Sequence, residues 1–143
     1  MNFKEIHIGK MLKTAVTESG IEMSRICNFM KCTEEEINKM YLEENLPTDV
    51  LLKLSKLLEY DFFRLYSQHL ILYAPPSAEK GLKNEKTQLP QFRKNIYTKE
   101  VINFILEQIS TGEMTKNEVI MKYKIPKTTL YKWISKYKNE SKQ

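Results

Sequence analysis

The apolar residues of this chain recur at the spacing of a helix surface, and this pattern constrains the fold more than any other feature of the sequence. The clearest case is Ile102, Ile105, Leu106 and Ile109, which follow i, i+3, i+4, i+7 and so share one helical face. No segment shows a convincing alternation of apolar and polar residues that would predict a strand. Glycine and proline are sparse, with 4 and 5 occurrences, so little interrupts the helical pattern. The sequence therefore predicts an all-α protein.

Two adjacent prolines, Pro75 and Pro76, interrupt the helical pattern near the middle of the chain. Proline lacks a backbone donor and restricts the residue before it, so a helix ends at this point. The polar sequence that follows is typical of a linker. We therefore predict a helical domain over residues 1–74, a basic linker over 75–96 and a second helical domain over 97–143.

Charge is distributed unevenly along the chain. Residues 1–74 contain 9 Lys and Arg against 11 Asp and Glu, a net charge of −2, whereas residues 75–143 contain 14 against 7, a net charge of +7. This asymmetry indicates two modules and a polyanionic partner for the second. We interpret the linker as a tether, and Arg93 and Lys94 within it leave open a further role as a basic strap along a phosphate backbone.

Capping signals predict three helices in the second domain. Thr98 can cap a first helix that ends near Gly112, and Thr115 with Glu118 has the spacing of a capping box, which opens a short second helix. Pro126 stands where a third helix begins, because its fixed φ is tolerated there. A helix, a short helix, a tight turn and a basic helix are the elements of a helix-turn-helix.

The third helix of this domain is predicted to have one apolar and one basic face. Leu130, Trp133, Ile134 and Tyr137 fall on one side at about 100° per residue, which makes Trp133 a predicted core residue. The other side offers hydroxyls and ammonium groups, the chemistry that meets phosphates and base edges in a major groove. The DNA-binding residues predicted on this helix are Lys127, Thr128, Thr129, Tyr131, Lys132, Ser135 and Lys136. Secondary DNA contacts are predicted at Arg93, Lys94, Lys116 and Lys39. The alternative is an ordinary three-helix bundle with a solvated lysine face.

The stretch from Asn117 to Trp133 (NEVIMKYKIPKTTLYKW) resembles the N-terminal helix-turn-helix of insertion-sequence transposases and related homeodomain-like modules. The resemblance implies that Lys127, Tyr131 and their neighbours Thr128 and Lys132 face the groove. As a whole the chain resembles small flavobacterial proteins labelled "transposase", which implies a link to mobile elements. A transposase catalytic domain holds two metal ions on a strand-containing fold, and this sequence predicts no strands to build it.

Helical signals also run through the first domain. Gly20 suits the end of a first helix, Thr33 and Glu36 have capping-box spacing, and Pro47 precedes a further helix. The register predicts five helices and resembles the Cro and phage-repressor class of helix-turn-helix domains, also called the XRE type. The residues that carry this resemblance are Ile8-Gly9-Lys10, Gly20-Ile21, Ile26-Cys27, Met30, Cys32-Thr33, Ile37, Met40 and the run from Pro47 to Leu58.

Two stretches depart from the repressor pattern. Glu22-Met23 stands where the family often has Ser-Gln, and the predicted recognition helix opens with Glu34-Glu35-Glu36. Carboxylates repel phosphates, although glutamate can also accept a hydrogen bond from cytosine. Helix capping and the helix dipole explain the three glutamates more simply. We therefore expect the first domain to bind DNA weakly or not at all on its own.

The fifth segment, Asp61 to Tyr73, is apolar on more than one face. One face can close the core, and the remainder would be an exposed patch of the kind that marks a partner surface. We predict a homodimer that presents two C-terminal DNA-binding domains to a pseudo-palindromic site. The predicted dimer-interface residues are Phe62, Phe63, Tyr66, Leu70 and Tyr73. The alternative is a monomer in which this helix folds back on its own domain.

Other functional classes find little support in the sequence. Cys27 and Cys32 are interpreted as reduced core thiols, and His7 and His69 form no recognisable site. We predict no metal, no cofactor, no catalytic residue and no small-molecule substrate, since no motif for them is present. No membrane association is predicted either, and we expect a cytoplasmic location. The predicted function is sequence-specific binding of double-stranded DNA, as a transcriptional regulator or a mobile-element protein. The alternative is a protein-interaction module, antitoxin-like or adaptor, whose working surface is the acidic N-terminal half.

Overall fold

The computed structural model describes residues 3–75, 88–90 and 96–138, and the regular structure in these residues is helical, with no strand. The prediction of an all-α protein is confirmed. None of the described helices combines the length and the apolar character required to span a bilayer. The helices are α1 (Ile8–Ser19), α2 (Met23–Met30), α3 (Glu34–Met40), α4 (Thr48–Leu57), α5 (Phe63–Tyr73), α6 (Lys99–Ser110), α7 (Lys116–Tyr123) and α8 (Lys127–Lys138).

The described chain divides into two compact units, the first ending at Ser67 and the second beginning at Gln68. The division therefore falls inside α5, whereas the proline pair in the sequence placed a boundary after residue 74. Hydrogen bonds of Gln68 explain why the end of α5 belongs to the second unit. Its side-chain amide donates to the carbonyl of Ile96, and its amide oxygen accepts from the backbone N–H of Thr98 at 3.2 Å.

The first unit is built around one apolar core. Its buried members are Ile8, Leu12, Ile26, Ile37, Leu51, Leu54, Phe62 and Leu65. The start of α1 lies directly on the backbone that follows α3, because the N–H groups of Ile8 and Gly9 donate to the carbonyls of Glu44 and Glu43, each at 3.0 Å. A side chain at Gly9 would collide with this backbone, so glycine is required there by close approach.

Local capping fixes several helix ends, as the sequence predicts. The capping box of Thr33 and Glu36 opens α3, and Gly20 ends α1 in the left-handed region with φ of 65°. Phe63 donates its backbone N–H to the Asp61 carboxylate at 3.1 Å at the start of α5. These ends depend on residues a few positions apart, so they form from local sequence.

The second unit has its own buried residues. They are Gln68, Leu72, Val101, Ile102, Ile105, Val119, Tyr123, Ile125 and Leu130. Helices α6, α7 and α8 each contact the other two. The Tyr123 hydroxyl donates to the side-chain oxygen of Gln108 at 2.9 Å, and burial raises the pKa of Tyr123. This packing holds α7 and α8 in a fixed relation to each other.

Candidate functional site

Helix α8 is anchored along one side. Leu130 is fully buried, and Ile125 in the turn before the helix is 1% exposed. Trp133 is half-buried, and its ring meets that of Tyr97 edge to face, with centroids 4.9 Å apart and planes at 75°. The sequence predicted Trp133 as a core residue, and the structure places it at the margin of the core, covered on one side by Tyr97.

The opposite side of α8 is exposed and carries most of the residues predicted to bind DNA. The exposed members are Lys127, Thr128, Tyr131, Lys132, Ser135 and Lys136, and Thr129 is half-buried. Tyr131 leaves 43% of its surface open, which is high for an aromatic side chain. The first turn of α8 contains no acidic residue. The structure thus brings hydroxyls, ammonium groups and one aromatic ring together on a single helical surface.

Helix α7 contributes to the same surface through Lys116. The Nζ of Lys116 lies 5.4 Å from the centroid of the Tyr131 ring, and the Nζ of Lys127 lies 5.6 Å from the same centroid. Both distances fall in the range of cation–π attraction. A third lysine of this surface, Lys136, lies over the ring of its neighbour Tyr137 at 5.4 Å. Lys116, predicted as a secondary DNA contact, is therefore next to a primary one.

The lysines of this surface have no carboxylate partner among the residues that the structure describes. Within the part of the chain that the structure describes, none of Lys116, Lys127, Lys132 and Lys136 forms an ion pair, whereas Arg64 pairs with Asp61 at the start of α5. The nearby carboxylate of Glu118 is committed to its own helix, since it accepts from the Thr115 backbone N–H at 2.7 Å. That hydrogen bond lowers the pKa of Glu118. Among the described residues, the positive charge of this surface is therefore not paired with carboxylates.

The remaining predicted contacts are distributed differently. Arg93 and Lys94 lie outside the described residues. Lys39 is exposed in the last turn of α3, in the first unit. The structure therefore groups Lys116 with the α8 residues and leaves Lys39 on a separate unit.

The predicted dimer interface requires a correction at one residue. Phe62 is fully buried in the core of the first unit and offers no surface to a partner, because a segment apolar on several faces must use one of them to close its own core. Phe63 and Tyr66 are half-buried against the same core. Leu70 and Tyr73 are 58% and 36% exposed. Leu70 and Tyr73 are therefore the exposed apolar side chains of α5.

Other chemistry-bearing residues belong to the packing. Cys27 and Cys32 are free thiols, half-buried against the first core, and burial raises the pKa of Cys32. Among residues 3–75, 88–90 and 96–138, no three His, Cys, Asp or Glu side chains are placed to hold a metal ion.

Two residues that support the candidate surface were not identified from the sequence. Tyr97 covers Trp133, and Gln68 fixes the backbone of Thr98, where α6 begins. Neither position carries a local motif, since each acts on a residue about 30 or more positions away. Comparison of the chain with protein-family models, with curated proteins and with solved structures finds no match.

Proposed function

We propose that this protein binds double-stranded DNA sequence-specifically, as a transcriptional regulator or a mobile-element-associated recognition protein without a catalytic domain. In this proposal α6, α7 and α8 form a helix-turn-helix domain, and α8 enters the major groove. The observation that carries the proposal is the exposed face of α8, where Lys132 and Lys136 stand beside hydroxyls and have no described carboxylate partner. Phosphates neutralise such lysines with release of counterions, and hydroxyls can read base edges.

The turn geometry supports this proposal. Helix α7 is eight residues long and is followed by three residues before α8, the first of which, Lys124, is left-handed with φ of 54°. Helix α2 is also eight residues long, and three residues separate it from α3, beginning with left-handed Lys31 at φ of 56°. A turn of three or four residues is typical of helix-turn-helix motifs. We therefore propose one such motif in each unit, with the first unit as a five-helix repressor-like domain.

The two motifs differ in charge, and this difference favours α8 over α3 as the helix that recognises DNA. Helix α3 begins with the exposed carboxylates of Glu34, Glu35 and Glu36. Glu36 accepts the Thr33 backbone N–H at 2.8 Å, so it serves the helix cap. Carboxylates at the start of α3 would repel phosphates there. In our proposal the first unit therefore has little DNA affinity of its own.

Assembly is proposed to be a homodimer through the exposed part of α5. Leu70 and Tyr73 are the exposed apolar side chains of that helix, and burying them against a second copy would remove apolar surface from water. A two-fold dimer would present two copies of α8 to a pseudo-palindromic site. Sedimentation velocity at micromolar concentration tests this. A monomer in the wild type, or a dimer unchanged in Leu70→Glu, would contradict the proposed interface.

Selection of bound sequences from a random duplex library tests the proposed function directly. We expect an enriched motif and, at ~4–6 phosphate contacts per domain, a log–log salt slope near −4 to −5. The Lys132→Ala/Lys136→Ala double variant should reduce the magnitude of that slope by about 2.

A matched control removes two lysines of the same type elsewhere. Lys53 and Lys56 are exposed on α4, in the first unit, and the Lys53→Ala/Lys56→Ala variant has the same net charge as the α8 variant. We expect it to keep the wild-type salt slope. Absence of duplex binding by the wild type at low salt would refute the proposed function. In that case, stoichiometric capture of one protein would favour the protein-interaction alternative.

A further inference from the structure

We infer that Lys116, Tyr131 and Lys127 form a two-helix clamp on the DNA phosphate backbone, in which Tyr131 is a positioning residue for both lysines. We call these three residues the tyrosine clamp. The inference rests on the proposed function and specifies how its surface would hold DNA. It assigns α7, through Lys116, a direct part in binding, in addition to the contacts that α8 makes.

The geometry joins two helices at one aromatic ring. Lys116 is the first residue of α7 and Lys127 is the first residue of α8, and their Nζ atoms lie 5.4 Å and 5.6 Å from the Tyr131 ring centroid. The two ammonium groups are therefore at most about 11 Å apart, close enough to meet phosphates of one stretch of duplex, in which each strand carries a charge every ~3.4 Å of axis. Lysine alone is a flexible point charge with several rotatable bonds. Attraction of both lysines to the Tyr131 ring limits the freedom of their side chains in the unbound protein.

Helix stability does not explain these two lysines. The dipole at a helix N-terminus favours anions, so a cation in the first position is unfavourable for the helix itself. The two lysines repel each other because both are cationic and both lie near the same ring, and within the described residues neither has a carboxylate partner. The capping of α7 is supplied by Thr115 and Glu118 without Lys116. An external polyanion would remove these unfavourable terms, and the duplex backbone is such a partner.

Tyr131 has a role that can be separated from that of the lysines. Loss of a lysine removes a phosphate contact, so it should lower the magnitude of the salt slope by about 0.9 and weaken binding roughly eightfold at 0.1 M salt, if its contribution vanishes near 1 M. Loss of the Tyr131 ring leaves both lysines charged, but their side chains are no longer held in place by cation–π attraction. We therefore expect Tyr131→Leu to weaken binding about two- to fivefold per lysine, with the salt slope nearly unchanged.

The experiment measures binding of the full chain to a random-sequence duplex across salt concentrations, because backbone contacts do not depend on base sequence. The variants are Lys116→Gln, Lys127→Gln, Tyr131→Phe and Tyr131→Leu. Lys122→Gln is the matched control, since Lys122 is also an exposed α7 lysine over a tyrosine ring, that of its own neighbour Tyr123. Circular dichroism of each variant checks that the helical content is retained.

The clamp predicts that Lys116→Gln and Lys127→Gln each reduce the magnitude of the salt slope and that Lys122→Gln does not. It also predicts that Tyr131→Phe, which keeps the ring, loses less affinity than Tyr131→Leu. A wild-type slope in Lys116→Gln would overturn the clamp, as would an equal loss of affinity in Tyr131→Phe and Tyr131→Leu, which would assign the effect to the hydroxyl. These outcomes all require wild-type binding. If the wild type fails to bind duplex DNA, the proposed function itself fails, and the two failures are thereby distinguished.

Discussion

Replacing Gly9 with alanine should destabilise the first unit by an amount that can be worked from the structure. A Cβ at this position would lie 2.4 Å from the carbonyl oxygen of Met40 and 2.6 Å from those of Tyr41 and Glu43. All three atoms belong to backbone, so no side-chain rotation relieves the collision. Restoring an ordinary van der Waals separation requires α1 to withdraw by about 1 Å. That movement would lengthen the hydrogen bonds that Ile8 and Gly9 donate at 3.0 Å.

The expected cost follows from three contributions. Overpacking costs about 1–3 kcal/mol, and weakening two backbone hydrogen bonds costs about 0.5–1.5 kcal/mol each. Alanine in place of glycine inside a helix returns about 1 kcal/mol. We therefore expect the free energy of unfolding to fall by about 3 kcal/mol, within a range of roughly 1–5 kcal/mol. For a marginally stable domain, a loss of this size is a large fraction of the total.

Urea denaturation followed by far-ultraviolet circular dichroism measures the change, and Gly20→Ala provides the control. At Gly20 a Cβ would meet nothing within 4 Å, so the variant carries only the strain of a left-handed φ of 65°, about 1–2 kcal/mol. Gly9→Ala should therefore unfold at a lower urea concentration than Gly20→Ala. If Gly9→Ala were as stable as the wild type, the close approach of α1 to the backbone after α3 would be refuted.

Three further predictions concern the second unit. Gln68→Leu leaves the Ile96 carbonyl and the Thr98 N–H without their partner, and should lower the free energy of unfolding by about 1–3 kcal/mol in urea titration; an unchanged midpoint would contradict it. Trp133→Ala removes a half-buried indole and its contact with a neighbouring ring, and thermal unfolding should report a loss of about 2–4 kcal/mol, below that of a fully buried tryptophan. The lowered pKa of Glu118 means that its capping contribution is present above its unfolded pKa and is lost as the pH falls through the folded pKa. Urea midpoints of wild type and Glu118→Ala should therefore differ at pH 7 and converge at acidic pH, and a difference that persists in acid would disprove the assignment.

Local sequence determined the helices of this protein and their ends. The capping boxes of Thr33 and Glu36 and of Thr115 and Glu118 were predictable, and both are present, because each joins residues three positions apart. The apolar and exposed faces of α8 were predictable for the same reason, since helical periodicity alone separates Leu130 from Lys132. The all-α character follows from the same periodicity.

Only the tertiary structure decided which apolar side chains are buried and which distant residues come into contact. Phe62 and Leu70 share one apolar segment, yet one is fully buried and the other is 58% exposed. Gln68 joins the second unit through partners 28 and 30 positions away, and Lys116 reaches a tyrosine on the next helix. Capping and helical periodicity involve residues within one or two helical turns, so both can be predicted from the sequence. Contacts between helices depend on how the elements pack, and no spacing along the chain encodes that arrangement.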